Sequence, residues 1–585
     1  MKIPFALSVG VTGHRSLSSS NISFIKDNVG KVLSTISDAS IQIVSRHQEI
    51  FTDTPLLNIN SCLSEGADRL VAREGLGLGF NLGAILPFNR YSSIHGHDLP
   101  ASDQELSRNE LNSLLKESTS VFEISSDIGA FASDASGEEL RQNTYLSASI
   151  SMLKHSDIVL VLWNKKSQQR SGSTYDVLNR SLNMNKIVIL IETENNSAPC
   201  RCSLIDKNIA YSAFNNDLSD LKNLIINNFL PPHADHCQQL ERLKECLNDL
   251  DSPDKDIPYI ATLWNKFYKL ITRLDGPIGQ HDNPSPRPEV LSNYYNKFSQ
   301  LSNYYSQCYR SFFLFSPILS TLAVSVAVIT LSLPETYTFL KTLCGISEIF
   351  LISTLLFSHK ISEKLKWKEK FTNYRLMTEV LRHSMAIHSL GTCLSLEESG
   401  VVYENRNRQW VYWFAHNILR IQGIPNYYWN SDIVEHHRLI KSWLREQKEY
   451  HIYNAARSKK AQHFFHSLTN FLVVLTVVFV LAHVIFEAFH IHFIPKLAYS
   501  TINLGTILFP LWAMCFHAVC QYAELRRLED RSTYMSEKLL SFEKSFMKDI
   551  SCQNILDTAD IAAHLMLSEV IEWNIQYKMP EVSKA

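Results

Sequence analysis

The sequence carries almost no excess of charge of either sign. Its 585 residues include 56 lysines and arginines and 58 aspartates and glutamates, which gives a formal net charge of −2. Proteins that bind nucleic acid attract the phosphate backbone with a positive surface, so this balance predicts no nucleic-acid partner.

Metal-binding cysteine patterns and a signal peptide are also missing. The eleven cysteines are scattered, and the closest pair, Cys200 and Cys202, has no second pair at zinc-finger distance. The first apolar run is too short for a secretory signal. We therefore expect reduced thiols, no metal and no cofactor, and an N-terminal part that stays in the cytoplasm.

Long apolar runs, in contrast, occur four times in the second half, over 312–333, 337–358, 468–489 and 497–518. About 20 apolar residues cross the hydrocarbon core of a bilayer. A buried helix of a soluble protein is the alternative, but the first and third runs are too long and too uniformly apolar for it. Short loops join the runs in pairs and predict two antiparallel hairpins, an all-α membrane domain with four transmembrane helices.

Basic residues flank the hairpins on one side. Five lysines follow the second run, namely Lys360, Lys364, Lys366, Lys368 and Lys370. The short loops within the hairpins hold little positive charge. Because positive residues remain cytoplasmic, we expect a multi-pass protein of the cell inner membrane with cytoplasmic N- and C-terminal parts. The hairpins also resemble a repeat, since Glu379 and Glu537, and Trp410 and Trp573, follow them at similar offsets; coincidental helix composition is the alternative.

Short β-rich runs alternate with helical patterns through the first 230 residues. The runs are "FALSVGVTG", "LLNINSCL", "NLGAILPF", "SDIVLVLWN" and "KIVILIE", and the helix after the first covers 20–39, with Ile22, Ile25, Val29, Val32 and Ile36 on one face. Uninterrupted apolar runs suit parallel strands that are buried on both faces. The pattern predicts an α/β, Rossmann-like, doubly wound parallel sheet, with ligands at the carboxyl ends of the strands.

Small and charged residues follow three of these strands. Backbone N–H groups at a helix start, together with arginine forks, favour phosphate. We therefore predict a ligand site made of Thr12, Gly13, His14, Arg15, Ser64, Glu65, Gly66, Asp68, Arg69, Gly172, Ser173 and Thr174. The alternatives are a solvated loop histidine for His14 and simple helix capping for Glu65 and Asp68.

In this order, "VGVTGHR", "CLSEGADRLVA", "AILPF", "SDIVLVLW" and "SGSTYDV" resemble the SLOG superfamily of Rossmann-like nucleotide-binding domains. The hairpins and the helices after them resemble the SLATT class of membrane effector. The pairing implies a bacterial antiphage immune system that senses a nucleotide-derived messenger. That ligand would be of the cyclic-nucleotide or ADP-ribose type and would come from a synthase encoded elsewhere.

One loop departs from the enzymatic branch of that superfamily. A "PGGxGTxxE" loop there supplies a catalytic glutamate, whereas this chain reads "RSGSTYDV", with Asp176 near the glutamate's place and Ser171 near the first glycines. The resemblance therefore implies binding rather than hydrolysis, and no catalytic residue.

The chain is expected to divide into a SLOG-like nucleotide-binding domain (1–230), a linker with juxtamembrane helices (231–310), hairpin 1 (311–358), a cytoplasmic helical region (359–464), hairpin 2 (465–520) and C-terminal cytoplasmic helices (521–585). Four spans are few for a wide aqueous path, so we expect a homo-oligomer in lipid. Glu348 and His483 are costly in lipid and are candidates for gating or pore lining; a protonated Glu348 that merely packs is the alternative.

The leading function is thus a ligand-gated effector that oligomerises and permeabilises or disrupts the membrane. Two alternatives stay open. One is a membrane-tethered nucleotide or NAD glycohydrolase that uses Glu65, Asp68 or Asp176 as its acid. The other is a nucleotide-regulated ion channel or transporter.

Overall fold

The structure, a computed structural model, describes residues 1–17, 20–88, 101–125, 135–164, 172–193, 202–206, 209–213, 218–232, 237–273, 288–394, 409–428, 433–489, 496–546 and 552–578. Ser171 lies outside the described residues.

A nine-stranded sheet forms the centre of the N-terminal part. Its strands are β1 (Ala6–Gly13), β2 (Leu56–Ser61), β3 (Asn81–Phe88), β4 (Ser120–Ser125), β5 (Ile158–Trp163), β6 (Ile187–Glu192), β7 (Cys202–Asp206), β8 (Ile209–Ala213) and β9 (Tyr427–Tyr428), in the order β8-β7-β6-β5-β1-β2-β3-β4-β9. β1 to β6 are parallel, and β7 and β8 add an antiparallel edge. The predicted doubly wound parallel sheet is confirmed.

The sequence analysis did not predict β4 and β9, the two strands at one edge of the sheet. β4, "SVFEIS", has only three apolar residues among its six, interrupted by Glu123, and lacks the continuous apolar run of the other parallel strands. β9 comes from between the two hairpins, about 300 residues later, and pairs with Phe122 and Glu123 of β4. A two-residue strand so distant in sequence carries no local pattern.

The helices around this sheet are α1 (Ile22–Arg46), α2 (Ala67–Gly77), α3 (Ala101–Glu117), α4 (Ala135–Lys154), α5 (Thr174–Asn183) and α6 (Ser219–Phe229). α1 is longer than predicted and buries Ile25, Val29, Val32 and Ile36 as expected. Ile22 is exposed instead, because it stands at the first position of the helix, at the edge of the sheet.

The remaining helices are α7 (Cys237–Asp251), α8 (Tyr259–Thr272), α9 (Glu289–Ser332), α10 (Thr338–Lys364), α11 (Trp367–His388), α12 (Trp410–Gln422), α13 (Ile433–Ala488), α14 (Lys496–Tyr522), α15 (Leu525–Phe546) and α16 (Cys552–Lys578). Four helical stretches are long and apolar enough to cross a membrane. They lie on α9, on α10, on α13 and on the stretch Tyr499–Phe546, which begins within α14. The apolar runs at 312–333 and 468–489 are the ends of helices of 44 and 56 residues, which continue far into the polar part of the chain.

The four spans pack in the order α10, α9, α14, α13. α9 and α14 pack against each other and bury about a quarter of their most apolar stretches. No residue in the most apolar described stretch of α10 or of α13 is buried. The outer two spans therefore present bare apolar surface, as a bilayer or a second subunit requires.

The two hairpins and the helices that follow them repeat in length and in the turn that ends each hairpin. α10 and α14 each have 27 residues, and α11 and α15 each have 22. A left-handed residue ends each hairpin, Lys366 with φ 51° and Glu524 with φ 49°. Beyond this unit the likeness fails, because Trp410 opens α12 whereas Trp573 lies near the end of α16, and Glu379 is buried whereas Glu537 is exposed.

α12 fastens the helical part to the sheet. Asn417 is fully buried; its Oδ1 accepts the Ala6 N–H at 3.0 Å, and its Nδ2 donates to the Pro4 carbonyl at 2.9 Å. Arg420 pairs with Asp157 at 2.8 Å, just before β5. α12 therefore docks at the amino ends of β1 and β5.

We expect Asn417→Ala to lower the free energy of unfolding by about 1–3 kcal/mol, because it leaves a buried N–H and a buried carbonyl without partners. The measurement is the thermal unfolding midpoint of the full-length protein in detergent. Asn227→Ala, at an exposed position of α6, is the control and should leave the midpoint unchanged. Equal midpoints for the two variants would show that this contact does not hold α12 to the sheet.

Candidate functional site

The topology places a crevice between β1 and β5. β1 has β2 on one side and β5 on the other, so the winding direction of the sheet reverses between them. Ligands of open α/β sheets bind at the carboxyl ends of the strands at such a reversal. The turns after β1 and β5 are therefore the first place to look for a site.

The turn after β1 lies tightly against its neighbours. Thr12 and Gly13 pair with Val161 and Leu162 of β5, and the His14 N–H donates to the Leu162 carbonyl at 3.2 Å. A Cβ on Gly13 would stand 2.4 Å from the Cβ of Ala67 in α2. Glycine is required here because α2 approaches the strand end so closely.

The turn after β2 packs directly on the turn after β1. Gly66 has a φ of 81°, and a Cβ there would stand 2.1 Å from the Arg15 carbonyl oxygen. The Ala67 N–H donates to the His14 carbonyl at 3.1 Å. The structure thus brings Gly13, His14, Arg15 and Gly66 together, as the sequence predicts.

Arg15 is the exposed cation of this crevice. Its guanidinium lies 5.1 Å from the ring centroid of Tyr145 in α4, and that ring meets Phe88 at the end of β3 edge-on at 5.4 Å. No described residue forms an ion pair with Arg15. Tyr145 was missed at the sequence level, because a tyrosine within a helix carries no signal that it underlies a strand-end arginine.

The turn after β5 carries its own carboxylate. Ser173 caps α5 by accepting the Asp176 N–H at 3.3 Å, and Thr174 is the first helical residue. Asp176 accepts the Gly172 N–H at 3.0 Å and pairs with Arg180 at 3.1 Å. An incoming anion at this helix start would compete with Asp176 for the Gly172 N–H.

The acidic and basic residues after β2 are engaged within the protein. Arg69 is buried; its Nε donates to the Leu63 carbonyl at 3.0 Å, and its Nη1 pairs with Glu110 at 3.2 Å. Ser107 donates to Glu65, and the Ser64 N–H donates to Asp68 at 3.2 Å. These contacts hold the turn against α3, whereas the N-cap of α2 is Gly66, which no side chain caps.

The two polar residues of the spans are not brought together within one chain. Glu348 is half-buried on α10 and makes no hydrogen bond or ion pair with any described residue. His483, on α13, lies beside the Tyr499 ring at 5.9 Å, and Tyr499 donates to Glu487. α9 and α14 stand between α10 and α13 in the packing order.

We expect Asp68→Asn to stabilise the protein at pH 8 by about 2–4 kcal/mol and to have little effect near pH 4. Burial, partly opposed by Ser64 and Arg15, raises the pKa of Asp68 to about 7. Between pH 4 and 7 the unfolded carboxyl ionises while the folded one stays protonated, so wild-type stability falls as pH rises. Asparagine still accepts the Ser64 N–H and does not ionise.

Unfolding midpoints at pH 4, 6 and 8 measure this difference. Asp27→Asn, at an exposed position of α1, is the control. A difference between Asp68→Asn and wild type that stays constant across these pH values would show that Asp68 does not titrate in this range.

Comparisons with protein-family models, with curated proteins and with solved structures give no significant match for this chain. The function is therefore argued from the geometry of the crevice, from the membrane helices and from the sequence motifs.

Proposed function

We propose that this protein binds a phosphorylated, nucleotide-derived ligand in the crevice between β1 and β5 and transmits that binding to its membrane helices. The observation that carries the proposal is Arg15, an exposed arginine without an ionic partner among the described residues, at the point where the sheet reverses direction. The start of α5 lies at the neighbouring strand end, and a phosphate there would replace the Asp176 carboxylate as the acceptor of the Gly172 N–H.

Helix α4 offers a route from the crevice to the membrane part. Tyr145 lies under Arg15 in the middle of α4. At the C-terminal end of α4, Lys154 pairs with Asp560 of α16 at 2.7 Å, and Ser151 donates to the Gly391 carbonyl, just after α11, at 2.5 Å. A shift of α4 on ligand binding would thus reach the helix that follows hairpin 1 and the C-terminal helix.

In this proposal the membrane part is a homo-oligomeric effector in the inner membrane, with its large parts cytoplasmic. The bare apolar faces of α10 and α13 support association between copies, and so does Glu348, which has no partner among the described residues, because a lone carboxylate in lipid costs several kcal/mol. The SLOG- and SLATT-like motifs support a role in antiphage defence, in which the assembly permeabilises or disrupts the membrane. A synthase encoded elsewhere would supply the messenger.

The glycohydrolase alternative has weaker support. Each acid that it needs is already engaged: Glu65 with Ser107, Asp68 with the Ser64 N–H, and Asp176 with Arg180. A regulated channel stays compatible with the same crevice, and the ion preference of the membrane current would distinguish it from bilayer disruption.

We expect at least one of two probes, ADP-ribose or 3′,5′-cyclic AMP, to bind the full-length protein in detergent. Arg15→Gln should weaken that binding by about 10- to 100-fold, because it removes a charge-assisted contact. Calorimetry gives the affinities, and mass spectrometry of the purified protein identifies any ligand that co-purifies.

Arg46→Gln is the matched control for this change. Arg46 is exposed in the last turn of α1. The next residue, His47, accepts the N–H of Ile50, and the Ile50 carbonyl accepts the N–H of Ile3. Arg46 therefore lies near the amino end of β1, at the opposite edge of the sheet from the crevice. The assigned site is wrong if Arg15→Gln binds as tightly as Arg46→Gln.

We expect Glu348→Gln to reduce ligand-triggered depolarisation of cells or to change its cation preference. A ring of carboxylates in an oligomer favours cations, and neutral glutamine removes that charge. Glu335→Gln is the control, because Glu335 lies in the exposed turn between α9 and α10, where it pairs with Lys341. Unchanged toxicity, ion preference and assembly size in Glu348→Gln would remove Glu348 from the gating mechanism.

A further inference from the structure

A second polar cavity lies beside the membrane spans, far from the strand ends. It has a volume of about 490 Å³ and is lined from seven helices, α8, α9, α11, α13, α14, α15 and α16. Leu314, near the start of the first apolar run, and Tyr522, the last residue of α14, belong to its wall. The cavity therefore sits where the cytoplasmic extensions of both hairpins meet.

The wall of this cavity carries more positive than negative charge. Its arginines are Arg310, Arg375, Arg382, Arg457 and Arg531, and its carboxylates are Glu379 and Glu569. Arg310 is exposed and the other four arginines are half-buried, so the half-buried wall holds two positive charges in excess when the histidines are neutral. Enclosing unbalanced charge is costly, so an anion in the cavity would stabilise this arrangement.

Both carboxylates form ion pairs with arginines of the wall. Glu379 is buried between Arg375 at 2.6 Å and Arg382 at 3.0 Å, and Glu569 pairs with Arg531 at 2.7 Å. Although burial opposes it, this pair of arginines lowers the pKa of Glu379 to about 2, so the carboxylate stays ionised at neutral pH. Neither acid is left to neutralise a further arginine.

Arg457 forms no ion pair with a carboxylate of the described residues. Its guanidinium lies 4.2 Å from the ring centroid of Tyr268, and its buried Nε makes no hydrogen bond to any described residue. Tyr268 in turn stacks on Trp264 at 5.3 Å. An arginine held on an aromatic face retains its charge for an external anion.

Two buried histidines of the wall also have an unused nitrogen. His383 and His451 are less than a tenth exposed, and the Nδ1 atom of each lacks a hydrogen-bond partner within the described chain. Burial lowers the pKa of both rings to about 4, so they are neutral at pH 7. A neutral imidazole can donate one N–H to an oxygen of a ligand.

We propose that this cavity binds a phosphate-bearing anion that bridges the two hairpins. Arginine forks and imidazole N–H groups match phosphate oxygens, and the volume suits a small ligand. The phosphate belongs either to a soluble ester or to the headgroup of an anionic phospholipid, since the cavity borders the membrane. Binding would fix α11 and α15 relative to each other and so set the arrangement of the spans.

The test measures thermal unfolding of the full-length protein in nanodiscs, in an Arg15→Gln background so that the strand-end crevice contributes little. One arm adds pyrophosphate to phosphatidylcholine nanodiscs and compares it with sodium chloride at equal ionic strength. The other arm replaces phosphatidylcholine by phosphatidylglycerol and adds no pyrophosphate. We expect one arm to raise the midpoint by about 2–4 °C, and that arm identifies the source of the phosphate.

Arg457→Gln should abolish this rise, whereas Arg445→Gln should keep it. Arg445 lies on the same helix, α13, and its exposed side chain pairs with Glu449 at 2.9 Å. A second measurement does not depend on the folding of the Arg457 and Arg445 variants. In the Arg15→Gln protein, phenylglyoxal labels reactive arginines, and mass spectrometry identifies which arginines are labelled. The effective phosphate source should protect Arg457 and leave Arg445 reactive.

The proposal is overturned if neither arm raises the midpoint, if both arginine variants lose the rise equally, or if Arg457 is not protected. None of these outcomes bears on the strand-end crevice, because Arg15 is already replaced. Failure of Arg15→Gln to weaken nucleotide binding would likewise leave this cavity untouched.

Discussion

The docking of α12 on the amino ends of β1 and β5 is the contact on which the architecture depends. This helix lies between the two hairpins in sequence. Its Asn417 hydrogen-bonds the backbone at the start of β1, and its Arg420 pairs with Asp157 before β5. Trp413 adds a hydrogen bond to the Phe229 carbonyl at 3.0 Å. The sheet and the helices that flank the spans share one hydrophobic core, whereas Leu314, Phe465 and Val519 at the spans belong to a second, smaller cluster.

Because α12 docks at the amino ends of the strands, the two ends of the strands have different roles. The carboxyl ends hold the crevice with Arg15, and the amino ends hold the attachment to the hairpins. α4 spans the distance, with Tyr145 near the carboxyl ends and Lys154 near the amino ends. Sheet strands are stiff, so a helix that packs across their face is the more natural carrier of a displacement.

Arginine serves differently in the two candidate sites. Arg69 is buried and Arg375 and Arg382 are half-buried; all three are paired, and they hold turns and helices together. Arg15 and Arg457 lie on aromatic rings and have no carboxylate partner among the described residues. This second arrangement keeps a planar cation in place without neutralising it, which is what recognition of an anionic group requires.

Local pattern in the sequence determined much of the protein: five parallel strands, the main helices, the four apolar spans and the glycine turns after β1 and β2. Each of these follows from periodicity, apolar length or backbone freedom over a few residues. Only the tertiary structure decided that β9 completes the sheet, that Arg69 is structural while Arg15 is exposed, and that Glu379, Glu569 and five arginines surround one cavity. Those features join residues hundreds of positions apart, and their burial and pairing depend on packing that no local pattern contains.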